Sequence, residues 1–209
     1  MKSALTLICI VVFAFINGKT ESRDDGYSFI KEGKNVCLFY RNVTLPNGEF
    51  TRELKAECII RGTKHSILEH LKSQEHLKLW MQNIKNVNVL KDEDSKNWYT
   101  YIHYGLPWPL NDQDCILKFS LIENYNGYHI FYYAVPDYSK KENDVDRINI
   151  MQGKWDIRSM PNGYCKVEYT VATERNINFP RWAADPFVHR NLIESINSLK
   201  CHVESMGIE

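Results

Sequence analysis

The residues best suited to proton transfer or metal ligation are the seven histidines, and their spacing supports neither chemistry. His65 and His70 stand five apart and do not share a helix face. No His-x-x-x-His or Cys-x-x-Cys pattern occurs, so no structural zinc site is expected. There is no Gly-x-Ser-x-Gly turn to expose a nucleophile and no glycine-rich loop to cradle phosphates. His103 and His129 fall among tyrosines in strand-like segments, without a partner that the sequence identifies for acid–base work. The expectation is a protein without catalytic residues, metal or cofactor.

The bulk properties narrow the classes further. Lysine plus arginine balance aspartate plus glutamate at 26 each, so no basic excess is available to collect phosphates and a nucleic-acid role is not expected. Lys2 followed by the apolar stretch Ala4–Ile16 reads as the charged and hydrophobic parts of a signal peptide. That stretch is short for a bilayer span. The expected organisation is a signal peptide over 1–18 and one domain over 19–209, exported to the periplasm or secreted, with an uncleaved N-terminal anchor as the alternative. Asn42-Val43-Thr44 is a formal glycosylation acceptor, meaningful only for a eukaryotic source.

Cys37, Cys58, Cys115, Cys165 and Cys201 remain after such a cleavage, an odd number. A two-residue turn at Asn47-Gly48 would pair Pro46 with Glu49, and counting outward would set Cys37 opposite Cys58. A disulfide there is one expectation; buried free thiols are the other.

The elements that position these residues follow from periodicity. Lys31–Asn42 and Phe50–Arg61 read as a hairpin. Lys64–Gln82 reads as two short helices with a break near Ser73. From Val87 to about residue 175 the period is two, with strands over Trp98–Leu106, Cys115–Leu121, Tyr128–Val135, Met151–Arg158 and Cys165–Val171. Turns are expected at Asn126-Gly127 and Pro161-Asn162-Gly163, and a charged loop over Lys140–Asp146. Val188, Leu192, Ile196, Leu199 and Val203 form one stripe of a helix starting near Pro186. The fold class is therefore α+β: a curved antiparallel sheet, solvated on one face, wrapped around a long C-terminal helix. Periodicity leaves open whether sheet and helix enclose a packed core or a cavity.

Three motifs carry a family resemblance. Tyr104-Gly-Leu-Pro-Trp-Pro-Leu-Asn-Asp-Gln-Asp114, Gly153-Lys-Trp155 and Asn178-Phe-Pro180-Arg-Trp182, in this element order, resemble the START domain of the helix-grip, Bet v 1-like superfamily. The likeness spans about residues 27–205. Two features depart from the family pattern. Gln113 stands where the family has an arginine before Asp114, which would remove an arginine-centred contact. Glu174–Asn178 replaces an Asp-Pro-Gly-Gly segment.

The resemblance implies a tunnel for a lipid, sterol or fatty-acid-like ligand, gated by the last helix and the Pro-Trp-Pro loop. The candidate lining is Leu117, Phe119, Leu121, Met151, Trp155, Val167, Tyr169 and Val171 from the strands, with Leu192, Ile196 and Leu199 from the helix. Trp108 reads as a loop aromatic plugging the end of the sheet, with secondary contact to ligand. Asp114 reads as a strand-start residue on the polar face, hydrogen-bonded locally. Arg175, Arg181 and Arg190 lie near the implied mouth, within reach of a lipid phosphate or simply at the surface. Function is expected to be ligand binding and transfer by a monomer, with transient membrane contact. A cyclase or aromatase-type enzyme on the same fold and an interaction domain with a filled core are the alternatives.

Overall fold

The computed structural model describes residues 26–92, 94–108, 111–141, 144–174 and 181–206. The expected signal segment, Pro109 and Leu110, and the stretch from Arg175 through Asn178-Phe179-Pro180 lie outside them.

Strands β1 (Ser28–Gly33), β2 (Val36–Thr44) and β3 (Phe50–Arg61) come first, then helices α1 (Lys64–Lys72) and α2 (Gln74–Trp80). Next come β4 (Ile84–Asp92), β5 (Asn97–Tyr104), β6 (Gln113–Asn124), β7 (Gly127–Ala134), the short β8 (Asp146–Arg147), β9 (Met151–Met160) and β10 (Tyr164–Thr173). Helix α3 (Arg181–Met206) ends the chain. The strands make one ten-stranded sheet in the order β1-β2-β3-β10-β9-β7-β6-β5-β4, antiparallel except where β8 runs parallel to β6. The expected α+β architecture is present: β10 closes onto β3, and α3 packs over the face that the curved sheet encloses.

Local chemistry explains the boundaries. Thr63 caps α1 through a reciprocal pair with Ser66. Ser73 ends α1 and caps α2, its Oγ accepting from the His76 amide at 3.4 Å, which is the break expected there. The segment expected to be one strand over Lys31–Asn42 is split. Lys34 and Asn35 both take positive φ (52° and 61°) and turn β1 into β2.

The first long hairpin also differs from expectation. Leu45 N donates to Glu49 O at 2.8 Å, so the loop holds three residues, Pro46, Asn47 and Gly48, with Gly48 at φ 84°. A pairing of Pro46 with Glu49 would need an N–H that proline lacks. The register moves by one, Cys37 faces Glu57, and Cys58 points to the opposite face of the sheet. No Cys37–Cys58 bridge forms, and the five cysteines among the described residues are free thiols. Burial pushes the Cys58 thiol up to about 12.

Helix α3 begins five residues before Pro186, where the sequence suggested a start. The buried stripe is Ile193, Ile196, Leu199 and Val203, with Leu192 half-buried beside it; Val188 is exposed and not part of it.

An aromatic chain runs through the interior. Trp98 stacks on Phe119 (4.9 Å between centroids), Phe119 meets Tyr132 (5.4 Å), Tyr132 meets Tyr169 (6.0 Å), Tyr169 meets Trp155 (4.3 Å), and Trp155 meets Trp80 of α2 edge-on (5.9 Å). Gly153 makes room for it. A Cβ there would stand 2.0 Å from the Thr170 carbonyl oxygen and 2.5 Å from the Tyr132 hydroxyl.

The outer face is polar. Lys55–Glu57 (3.0 Å), Lys166–Glu57 (3.4 Å), Arg158–Glu168 (3.5 Å) and Lys154–Asp156 (2.6 Å) alternate in sign across β3, β10 and β9. At the edge of that face Asp114 is fully buried, and its partner is not local. Arg147 from β8 donates Nε and Nη2 to its two carboxylate oxygens (2.6 and 2.9 Å) and Nη1 to Pro136 O (2.7 Å). Arg147 comes from elsewhere in the chain and also pins the Pro136–Lys140 segment, whereas Gln113, next to Asp114, turns to the enclosed face. The Arg147–Asp114 pair sits on the outer face, away from the enclosed one.

Two stability outcomes follow. Arg147→Met leaves Asp114 buried without its counter-ion and should cost about 3–5 kcal/mol, read as a lower urea midpoint. Gly153→Ala should cost at least the ~1–3 kcal/mol of an overpacked core, since the obstructing atom is a strand carbonyl, and thermal unfolding reports it.

Candidate functional site

The enclosed face is not filled evenly. Where β3 ends and β10 begins, α1, α2 and the C-terminal half of α3 pack on it, burying Ile60, Ile67, Leu71, Val167, Leu199 and Val203. At the other end, where β3 begins and β10 ends, the N-terminal half of α3 is the one described helical segment over the sheet. Between them is a cavity of about 360 Å³. That volume falls within the size range of small-molecule sites.

Its walls come from Leu54 of β3, Tyr104 and Leu106 at the end of β5, Ile148 and Met151 before and in β9, and Tyr169 and Val171 of β10. Phe187, Val188, Leu192 and Ile196 of α3 form the cover, and Trp80 and Met81 close the side toward the packed end. Of the residues expected to line a cavity, Met151, Tyr169, Val171, Leu192 and Ile196 do so. Leu117, Phe119, Trp155, Val167 and Leu199 are buried in the packed core, and Leu121 packs against it half-buried. The strand residues of both groups lie on the enclosed face.

Among the residues expected near the mouth, Trp108 departs from expectation. Trp108 is 92% exposed and plugs nothing. Trp182 is 80% exposed, two residues before Ala184 of the cavity wall. Arg190 is exposed, its guanidinium 5.9 Å from the Phe187 ring, whereas Arg175 and the Arg181 side chain lie outside the described residues.

The polar groups of the cavity divide by depth. Inside, Tyr132 has one proton to give, and the Thr170 carbonyl at 2.8 Å can only accept it. The 2.9 Å contact between the Tyr132 and Tyr169 hydroxyls then has Tyr169 donating, which leaves Tyr169 lone pairs unspent. Burial pushes the Tyr169 hydroxyl up to about 12 and raises Tyr104 as well, so both are neutral. At the rim, Arg52 of β3 meets Asp185 of α3 (Nη1–Oδ2, 2.8 Å) and lies 4.8 Å from the Tyr40 ring centroid. Gln82 N donates to Ser195 Oγ at 3.1 Å and its Nε2 to Ser198 Oγ at 3.3 Å, tying α3 to the strand side. Burial lowers His189.

Both strand histidines do have carboxylate partners, which spacing could not reveal. His103 Nε2 lies 3.0 Å from Asp112 Oδ2, and His129 Nδ1 is bonded to Asp156 on the outer face. Neither histidine lines the cavity. Among the described residues no group of three or more His, Cys, Asp or Glu side chains converges on a common point.

Asp112 has a mechanical role. Its Oδ2 accepts from Lys85 (2.5 Å) and its Oδ1 from the Leu106 amide (3.3 Å), so it holds the strand end that leads to Trp108. Sequence reading missed Tyr104, Leu106, Arg52 and Asp112. The available signal was their position beside the Pro-Trp-Pro loop or at a strand end.

No family model matches the sequence. A Pseudomonas aeruginosa protein described as uncharacterized is 26% identical over 126 residues, covering 60% of this chain and 62% of that protein. The chain thus spans about three fifths of the curated relative it matches. Among solved structures, a STAR-related lipid transfer protein fragment from Xanthomonas axonopodis superposes with a TM-score of 0.75 at 22% identity, over 86% of this chain and 99% of that one. Human StAR-related lipid transfer protein 5 gives 0.76 at 13% identity, over 89% and 90%. The Zhui aromatase/cyclase from Streptomyces is more distant, at 0.55 and 14%, over 74% and 94%. The fold is the START-like helix-grip fold.

The lysine hydrogen bond is the leading cause that holds the Asp112 carboxyl below the usual carboxylate range. A depressed folded-state pKa means that the Asp112 clamp is complete above the ordinary carboxylate range and is lost as pH falls through the depressed value. Asp112→Ala should remove it at neutral pH, seen as several-fold faster amide exchange at Leu106 and its neighbours.

Proposed function

We propose that this chain is an exported carrier that encloses one hydrophobic ligand between the sheet and α3 and passes it to and from membranes. The observation that carries the reading is the apolar cavity at the N-terminal half of α3. Each buried CH₂ of a ligand contributes about 0.8 kcal/mol, so such walls bind an alkyl or ring system without any catalytic group. The similarity to proteins described as lipid transfer proteins supports the same direction.

Exchange requires the cover to move. The Arg52–Asp185 pair and the Gln82–Ser195 and Gln82–Ser198 contacts are the ties that must open. Trp108 and Trp182 leave their indoles in solvent close to cavity-wall residues, which suits insertion at a membrane interface. Among the described residues no helix is long and apolar enough to cross a membrane. The apolar stretch Ala4–Ile16 after Lys2 supports export through a cleaved signal, with residues 19–209 as the mature protein.

The enzyme reading draws on the aromatase/cyclase neighbour alone. It would need an acid–base pair inside the cavity. The deep groups there are neutral tyrosines, and His103 and His129 stand outside it; of the ionisable groups on the described wall, burial drives His189 toward its neutral form and Asp185 is paired with Arg52.

The first test is native mass spectrometry of the chain from Lys19, with solvent extraction of whatever it carries. One lipid per chain is expected. A protein that emerges empty and also takes up no fluorescent sterol or fatty alcohol would sink the proposal. Leu192→Trp places an indole in the cavity from a half-buried helix position, and should lower lipid uptake about tenfold or more while the far-UV spectrum is unchanged. Trp108→Ala should slow vesicle-to-vesicle transfer with little loss of stability, because its side chain packs against almost nothing.

A further inference from the structure

We infer that the ligand is an uncharged lipid with a hydroxyl or carbonyl oxygen, and that the site discriminates against anionic lipids such as fatty acid carboxylates. The inference rests on the cavity reading above and narrows its ligand class.

The charges on the wall carry it. The ionised or ionisable groups lining the cavity are Arg52, Glu174, Asp185 and His189; the remaining polar lining is amide or hydroxyl. Arg52, the one full cation among the described lining residues, already meets Asp185 at 2.8 Å. Glu174 accepts from the Asn149 amide and its side-chain nitrogen, neither of which carries charge to offset it. His189 is driven toward the neutral form, chiefly by burial and also by Lys31 and Arg52, although Asp185 opposes this. One cation against two carboxylates leaves the described wall with an excess negative charge. Lys31 and Arg190 are solvent-exposed and do not line the cavity.

A carboxylate or phosphate drawn into this space would lose its hydration and face two carboxylates, with Arg52, the one arginine of the described wall, already engaged. An uncharged oxygen meets no such penalty. Uncharged groups on the wall suit one. Tyr169 retains lone pairs that can accept from a ligand hydroxyl at the inner end. The side-chain amides of Gln113 and Asn191 line the same space and can donate to a ligand oxygen. The aromatic rings of Tyr104 and Tyr169 and the side chains of Leu54, Ile148, Met151 and Ile196 leave the rest of the ligand with apolar contacts.

The experiment compares three fluorescent probes of one chain length on the delipidated mature protein: a fatty alcohol, the matching fatty acid, and the methyl ester of that acid. At about pH 8 the free acid is ionised. The alcohol and ester should bind with similar affinity and the acid at least about tenfold more weakly, the scale of one uncompensated charge in a desolvated site. Asp185→Asn releases Arg52 and removes one of the two carboxylates, so the acid should gain affinity relative to the alcohol. Acid binding as tight as alcohol binding in the wild type would overturn the charge inference and leave the cavity reading standing. Failure of all three probes would overturn both.

Discussion

A sheet whose inner face carries Leu38, Ile60, Ile130, Ile157 and Val167 cannot stay uncovered in water, and α3 is the element that covers it. Ile193, Ile196, Leu199 and Val203 supply the stripe that does so. Once that contact forms, the curvature of the sheet decides the rest. Helix α3 lies close to the strands along its C-terminal half, where α1 and α2 fill the remaining gap, and leaves the cavity beneath its N-terminal half. The cavity is the space that one helix and two short ones cannot fill.

The interior polar groups are arranged to keep that space open without an unpaid desolvation. Tyr132 gives its proton to the Thr170 carbonyl and braces Tyr169, and Gly153 is what lets the Tyr132 hydroxyl come so near β10. The same ring chain, from Trp98 to Trp80, walls the cavity off from the packed end. Rigid aromatic packing on one side and a helix held by a few polar ties on the other give a container with one side able to move. On the outside, the Arg147–Asp114 pair and the alternating charges across β3, β9 and β10 fix loops and strands without entering the site.

Particular residues depart from what period and short motifs imply. The hairpin register hinged on Pro46, whose missing N–H shifts the pairing by one residue and separates Cys37 from Cys58. The arginine that completes Asp114 comes from β8, thirty-three residues later, and no short motif announces a contact of that range. Trp108 between prolines suggested a plug, but a loop leaving the end of β5 carries it outward.

The sequence by itself determined the α+β order, the two capped helices meeting at Ser73, and the face of each strand that turns inward. Those are matters of period and of side-chain hydrogen bonds within a few residues. Only the tertiary structure decided which end of that inward face is hollow. Met151 and Trp155 share a strand face, as do Tyr169 and Val167, yet the first of each pair lines the cavity and the second is core. Their alternation is identical, and the difference is whether α1, α2 or the far half of α3 lies above them. That depends on contacts between segments far apart in the chain, which periodicity does not encode.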